Sequence, residues 1–161
     1  MKIKIYFLLL SLFFTSCVSY EPCRAWDMVA DPVSVRSKTL LNLEISVEKV
    51  VGGQKTDPSV CSNVGNVGFK NALEYSLARS GIYSEQGELQ LTAMLVHEKI
   101  SVRRTNVGQV FDVKEEVHYV LRQKKNGVRL FKSTITGIGS AGGPEFYSSA
   151  ALRVAKERAM K

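Results

Sequence analysis

The sequence predicts an α+β fold: a two-layer sandwich in which a four-stranded, mainly antiparallel sheet is covered on one face by two helices, in the order βαβββα. Three observations predict it. Four stretches alternate apolar and polar residues with the period of two that suits a half-buried strand. Two others space their apolar residues three and four apart, as one face of a helix requires. Turn formers divide these runs, and Asn126-Gly127 stands between the last two alternating ones.

The chain opens with Lys2 and Lys4, an apolar run from Ile5 to Phe14, and then Thr15, Ser16 and Cys17. A basic start, a short apolar core and small residues at its end read as an export signal over 1–16; a spanning helix needs about 20 apolar residues. From 17 to 37 there are two prolines, Pro22 and Pro32, and no sustained period, so this stretch reads as a tether carrying the single tryptophan, Trp26. One domain is expected over 38–161, a length that can bury a core without help from metals.

Within that domain, Leu41, Leu43, Ile45 and Val47 alternate with polar partners and predict a first strand over 39–51, ended by Gly52-Gly53. A loop rich in turn formers carries Cys61. Phe69, Ala72, Leu73, Ser76 and Leu77 predict a helix over 67–80, with Asn66 as its N-cap and Gly81 stopping it. Leu89, Leu91, Ala93 and Leu95 open a strand over 88–104. The next strand, 110–122, faces one way with Phe111, Val113, Val117, Tyr119 and Leu121, a set that Glu115 interrupts. Asn126-Gly127 predicts a tight type I′ hairpin into a strand over 128–138. A glycine-rich loop over 137–143 and Pro144 then open a last helix through Phe146, Ala151, Val154, Ala155 and Ala159.

Phe14-Thr15-Ser16-Cys17 resembles a bacterial lipobox. The resemblance implies that diacylglyceryl is attached to Cys17, that cleavage makes Cys17 the mature first residue, and that the chain works as a membrane-anchored lipoprotein. Together with the element order, Phe69-Lys70-Asn71-Ala72-Leu73-Glu74-Tyr75-Ser76-Leu77 with Gly81, Leu89-Gln90-Leu91-Thr92-Ala93 and Val117-His118-Tyr119-Val120-Leu121 are similar to small Gram-negative envelope lipoproteins, including the LptE type, and to the amino-terminal domains of TolB and CsgG. These are mostly core residues, so the resemblance implies a fold and not an activity. Val18 after the lipidated position implies the periplasmic face of the outer membrane, since an aspartate there would favour retention at the inner membrane.

With Cys17 lipidated, Cys23 and Cys61 form an even pair in an oxidising compartment, and a disulfide between them is expected. Closing a loop of that span would stabilise by roughly 3–4 kcal/mol; two unpaired thiols are the other reading. The formal charge is +7, and removing Lys2 and Lys4 (7 − 2) leaves +5. From 17 to 88 there are 7 basic and 9 acidic residues; from 89 to 161 there are 13 and 6. A basic half on an exported chain suits anionic headgroups, lipid phosphates or an acidic partner, or is simply a solvated surface. Arg103, Arg104, Lys124, Lys125 and Arg129 lie toward strand ends and turns, where they could reach phosphate or carboxylate groups.

Gly137-Ile138-Gly139-Ser140-Ala141-Gly142 matches the G-x-G-x-x-G spacing of dinucleotide loops. It lacks the parallel βαβ unit and the acidic residue that the fingerprint requires, so no cofactor is expected. His97 and His118 lie on different strands with no cysteine near them, so no metal site is expected. No serine sits in a nucleophile elbow and no catalytic residue is assigned. The function expected is that of a non-enzymatic envelope lipoprotein serving as assembly or stabilising partner of an envelope complex. An LptE-like binder of lipopolysaccharide or anionic lipid is the alternative, and an envelope hydrolase the least supported.

Overall fold

Alternation and helical spacing place six main elements. The computed structural model describes residues 21–32, 44–57, 62–106, 108–143 and 148–161. The strands are β1 (Ile45–Val51), β2 (Leu89–Thr105), β3 (Gly108–Gln123) and β4 (Arg129–Gly142), and the helices are α1 (Asn66–Arg79) and α2 (Ser148–Ala159). A short 3-10 turn, Ala25–Met28, precedes them. The sheet order is β1-β2-β3-β4. β1 and β2 are parallel, with Ile45 opposite Leu89, because α1 carries the chain back across the sheet between them. The β2–β3 and β3–β4 pairs are antiparallel.

Both helices cover one face. Phe69 and Ala72 of α1 pack with Val47, Val50, Ala93 and Val117, while Ala151, Leu152, Ala155 and Ala159 of α2 pack with Phe111, Val113 and Ala141. Val113 and Val117 lie two steps of alternation apart on β3, so the two packed groups share one side of the sheet. The expected sandwich is the one observed. At its end α1 closes as the sequence indicates: Gly81 takes a positive φ and the Ile82 N–H donates to Leu77 O.

Several local expectations are corrected. The cap of α1 is Gly65, and Asn66 is the first helical residue, its Oδ1 accepting from the Gly53 N–H at 2.7 Å. Asn126-Gly127 does not form a type I′ turn: among the described residues only glycines take positive φ, so Gly127 (φ 69°) does and Asn126 does not. The Gly127 N–H instead donates to Gln123 O, and the Asn126 Oδ1 accepts from the Val128 N–H, giving a wider loop. Residues 137–142, expected as a glycine-rich loop, are the last part of β4. A Cβ on Gly137 would overlap Ala159 O, and one on Gly139 would overlap Ala155 O and Ala159 N. These glycines let the α2 backbone lie directly on the strand, a packing need that resembles a phosphate loop in sequence only.

Of the expected tether, 17–37, the structure describes residues 21–32. Within it, Cys23, Met28 and Val29 are buried in the domain and the Ala30 N–H donates to Ser76 Oγ of α1. The signal, Cys17, Cys61, and the segments 33–43 and 144–147 lie outside the described residues. Cys23 is a free, buried thiol. No disulfide is found at Cys23, so the bridge expected to Cys61, which lies outside the described residues, is not supported.

Candidate functional site

Glu115 breaks the apolar face of β3, and the structure shows what surrounds it. It does not lie at the sheet's end, nor does it pair with Arg103 or Arg104. It stands mid-strand, 2% exposed, directly across from Glu98 of β2. Between Leu95 and His97 the β2 register slips by one residue, a bulge that turns Glu98 onto the same face as Glu115. Lys156 of α2 reaches this point fully buried; its Nζ donates to Glu98 Oε1 at 2.8 Å and to Asn63 Oδ1 at 2.9 Å. Asn63 is held in turn by the Lys55 carbonyl and by Thr56 Oγ1.

Two carboxyls and one ammonium thus meet below the helices, beside a cavity of about 70 Å³ lined among others by Gly52, Gly53, His97, Glu98 and Glu115. Burial, then the charge of Glu98 and a hydrogen bond with it, push the Glu115 carboxyl up to about 8, while Lys156 acts in the opposite direction. Glu115 is therefore a neutral acid at neutral pH. Among the described residues, Glu115 Oε1 has no hydrogen-bond partner. This arrangement can hold or release a proton, yet it presents no nucleophile. The neighbouring Cys23 thiol is pushed up to about 12 by burial and by the Glu157 charge, and stays protonated.

The signal for this cluster was present in the sequence. Lys156 falls at helical spacing between Leu152, Ala155 and Ala159, so a lysine on the buried stripe of α2 has to meet an acid, and Glu115 is the acid on the facing strand.

The basic residues singled out by sequence are not brought together. Arg103 and Arg104 lie at the β2–β3 hairpin, and Lys124, Lys125 and Arg129 at the β3–β4 hairpin, which is the opposite end of β3. Sixteen residues of strand, roughly 50 Å, separate the two groups. Arg103 is engaged within the chain, since its guanidinium holds Asp112 through two nitrogens. That contact and the Ser140 hydroxyl bring the Asp112 carboxyl down to about 2. Lys124 and Lys125 border a shallow hollow of about 450 Å³ with Gln86, Glu88 and Gln123. Glu116 and His118 share the open face of the sheet, 3.7 Å apart, away from Glu115, as alternation requires.

Among the described residues no three His, Cys, Asp or Glu side chains gather into a metal-binding group, and no helix is long and apolar enough to cross a membrane.

Comparison with known proteins places this geometry. No family model matches the chain, and no curated protein matches it. Among solved structures, the chain is similar to the protein CT253 from Chlamydia trachomatis, with a TM-score of 0.50 at 8% identity over 72% of this chain and 90% of that one. Two further matches are a Xanthomonas campestris protein of family DUF330 (TM-score 0.49, 13% identity, 73% and 77% covered) and a Caulobacter crescentus protein named as a candidate lipoprotein (0.41, 20% identity, 57% and 69% covered). At such identities the Chlamydia match shows a shared fold and no more.

Proposed function

We propose that the protein is a lipid-anchored docking subunit of the cell envelope, held by acyl chains on Cys17 at the periplasmic face of the outer membrane and acting by binding instead of catalysis. The observation that carries this reading is β4. It is the last strand of the sheet, 14 residues long, and among the described residues has a neighbour on one side only. Leu130, Phe131, Ile135 and Ile138 stand exposed along it, Ile138 at 73%. A long apolar edge is a template for strand addition, and soluble proteins ordinarily blunt such edges with charge or proline. Arg129 and Lys132 on the same strand suit an acidic extended segment of a partner. The lipobox-like Phe14-Thr15-Ser16-Cys17 supports the anchor.

A photo-crosslinking residue placed at Thr136 tests the docking. One discrete heterologous adduct in membranes, lost when Ile135 and Ile138 are both changed to lysine, supports it. An adduct that survives both lysines, or one formed only with a second copy of this chain, overturns it. A second reading, an LptE-like binder of anionic lipid, is favoured only by the hollow beside Lys124 and Lys125. In that case Lys124→Glu with Lys125→Glu abolishes lipid retention while the Thr136 adduct is unaffected.

A further inference from the structure

The path of the chain between Cys17 and the domain is short. Glu21 already contacts the folded part: Arg153 of α2 pairs with Glu21 at 4.0 Å, with Asp27 at 3.8 Å and with Glu157 at 3.0 Å. The Arg24 N–H donates to Glu157 Oε1 at 2.8 Å, and the Cys23 N–H to Asn63 O. Four residue steps separate Cys17 from Glu21, and an extended chain covers at most about 14 Å over them. A domain anchored through Cys17 therefore cannot stand clear of the bilayer, and the face around Glu21 must meet its surface.

That face has the composition an interface selects. Trp26, the only tryptophan of the chain, projects from the 3-10 turn at 67% exposure, whereas the next apolar residues, Met28 and Val29, are buried. An indole with an apolar body and one N–H donor is most stable at headgroup level, where one end is dry and the other wet. Beside it, Arg24, Arg153, Arg158 and Lys161, together with the acids Asp27 and Glu157, line a hollow of about 250 Å³. Arg24 and Arg153 have acidic partners in Glu21, Asp27 and Glu157, while Arg158 donates to the Ser140 carbonyl and keeps its charge for an outside anion, as Lys161 does.

We infer that the surface formed by the Ala25–Met28 turn and the last turn of α2 docks on the bilayer that holds the Cys17 acyl chains, with Trp26 seated in the headgroup zone and Arg158 and Lys161 on lipid phosphates. This deepens the proposed function and rests on lipidation of Cys17. It also turns the open face of the sheet, with Ile138, away from the membrane, because α2 lies between that sheet and the docking surface.

The single tryptophan supplies the probe. The mature lipidated protein is reconstituted into vesicles of phosphatidylethanolamine and phosphatidylglycerol, with and without brominated acyl chains, and its emission is recorded. Brominated lipid is expected to remove more than half of the Trp26 emission, with a shift of its maximum to shorter wavelength. In a Trp26→Phe, Ile138→Trp variant the indole on the far face should lose less than a tenth. Arg158→Glu with Lys161→Glu should at least halve the Trp26 quenching while the protein stays vesicle-bound. Protein that floats with the vesicles but shows no quenching of Trp26, or equal quenching at both positions, overturns the docking surface and leaves the anchor intact. Protein with an unmodified amino terminus that fails to float overturns lipidation, and the docking surface with it.

Discussion

Replacing Glu115 by glutamine should change how stability depends on pH. In the folded chain its carboxyl titrates near 8, against an ordinary value of 4.5, because it is buried opposite Glu98. Between those values the folded protein binds a proton there that the unfolded chain has released, so stability falls as pH rises. The penalty is absent below about pH 4.5, grows toward pH 8 and is constant above it. At about 1.4 kcal/mol for each pH unit, the loss from pH 4.5 to pH 7 is about 3 kcal/mol. Glutamine keeps the shape and the hydrogen bond to Glu98 and removes the titration.

Urea unfolding of both proteins from pH 4 to pH 9 reads the effect directly. Between pH 4.5 and 7 the wild type should lose about 3 kcal/mol more than Glu115→Gln. Glu157, the histidines and the Cys23 thiol are common to both proteins and cancel in the difference. Parallel curves would show that Glu115 is ionised in the folded state, and the account of a neutral Glu115 would fail.

Lys156→Met should cost roughly 1–3 kcal/mol, because it leaves the partly exposed Glu98 facing a buried acid without its cation; adding Glu98→Gln should recover part of this, which a double-mutant cycle of urea midpoints measures. Gly139→Ala should destabilise by roughly 1–3 kcal/mol by driving a methyl group into the α2 backbone, seen as a lowered Tm. The Asp112 carboxyl should titrate by NMR near 2 and not near its ordinary 3.8. Its pKa is lowered on folding, so the stability it contributes is present above pH 3.8 and is lost as pH falls through about 2. In an Arg103→Ala protein the midpoint should move up.

Much of the fold was legible because burial on one side of a sheet forces alternation. Phe111, Val113 and Val117 pointed to one face and β3 followed them; Phe69 and Ala72 at helical spacing gave α1 within a residue at either end. Where glycines were concerned, local pattern misled. Gly137 and Gly139 carry no side chain to mark a strand, and only the nearness of Ala155 and Ala159 in space explains them. At the β3–β4 hairpin the Asn126 side chain bonds locally to the Val128 N–H and keeps its own backbone out of the left-handed region, so the expected two-residue turn gave way to a wider one.

The candidate site was half visible. Glu115 stood out as an acid on an apolar face, but Lys156, on the buried stripe of a helix, was not singled out, and the two are 41 positions apart in the chain. No spacing rule joins such residues. The bulge that aims Glu98 at them is likewise a property of strand register, which follows from how β2 pairs with both its neighbours.

By itself, then, the sequence determined the signs of each element: four alternating runs, two helical faces and an odd acid. These are local matters, set by side-chain chemistry along a few turns or steps of chain. Tertiary structure alone decided which of those residues meet: that Glu98, Glu115 and Lys156 share one proton-holding cluster, that Arg103 and Lys124 lie at opposite ends, and that the chain is already folded four residues beyond Cys17. The reason is that contacts between distant segments depend on sheet register and helix placement, which the whole chain settles at once by burying its apolar faces together.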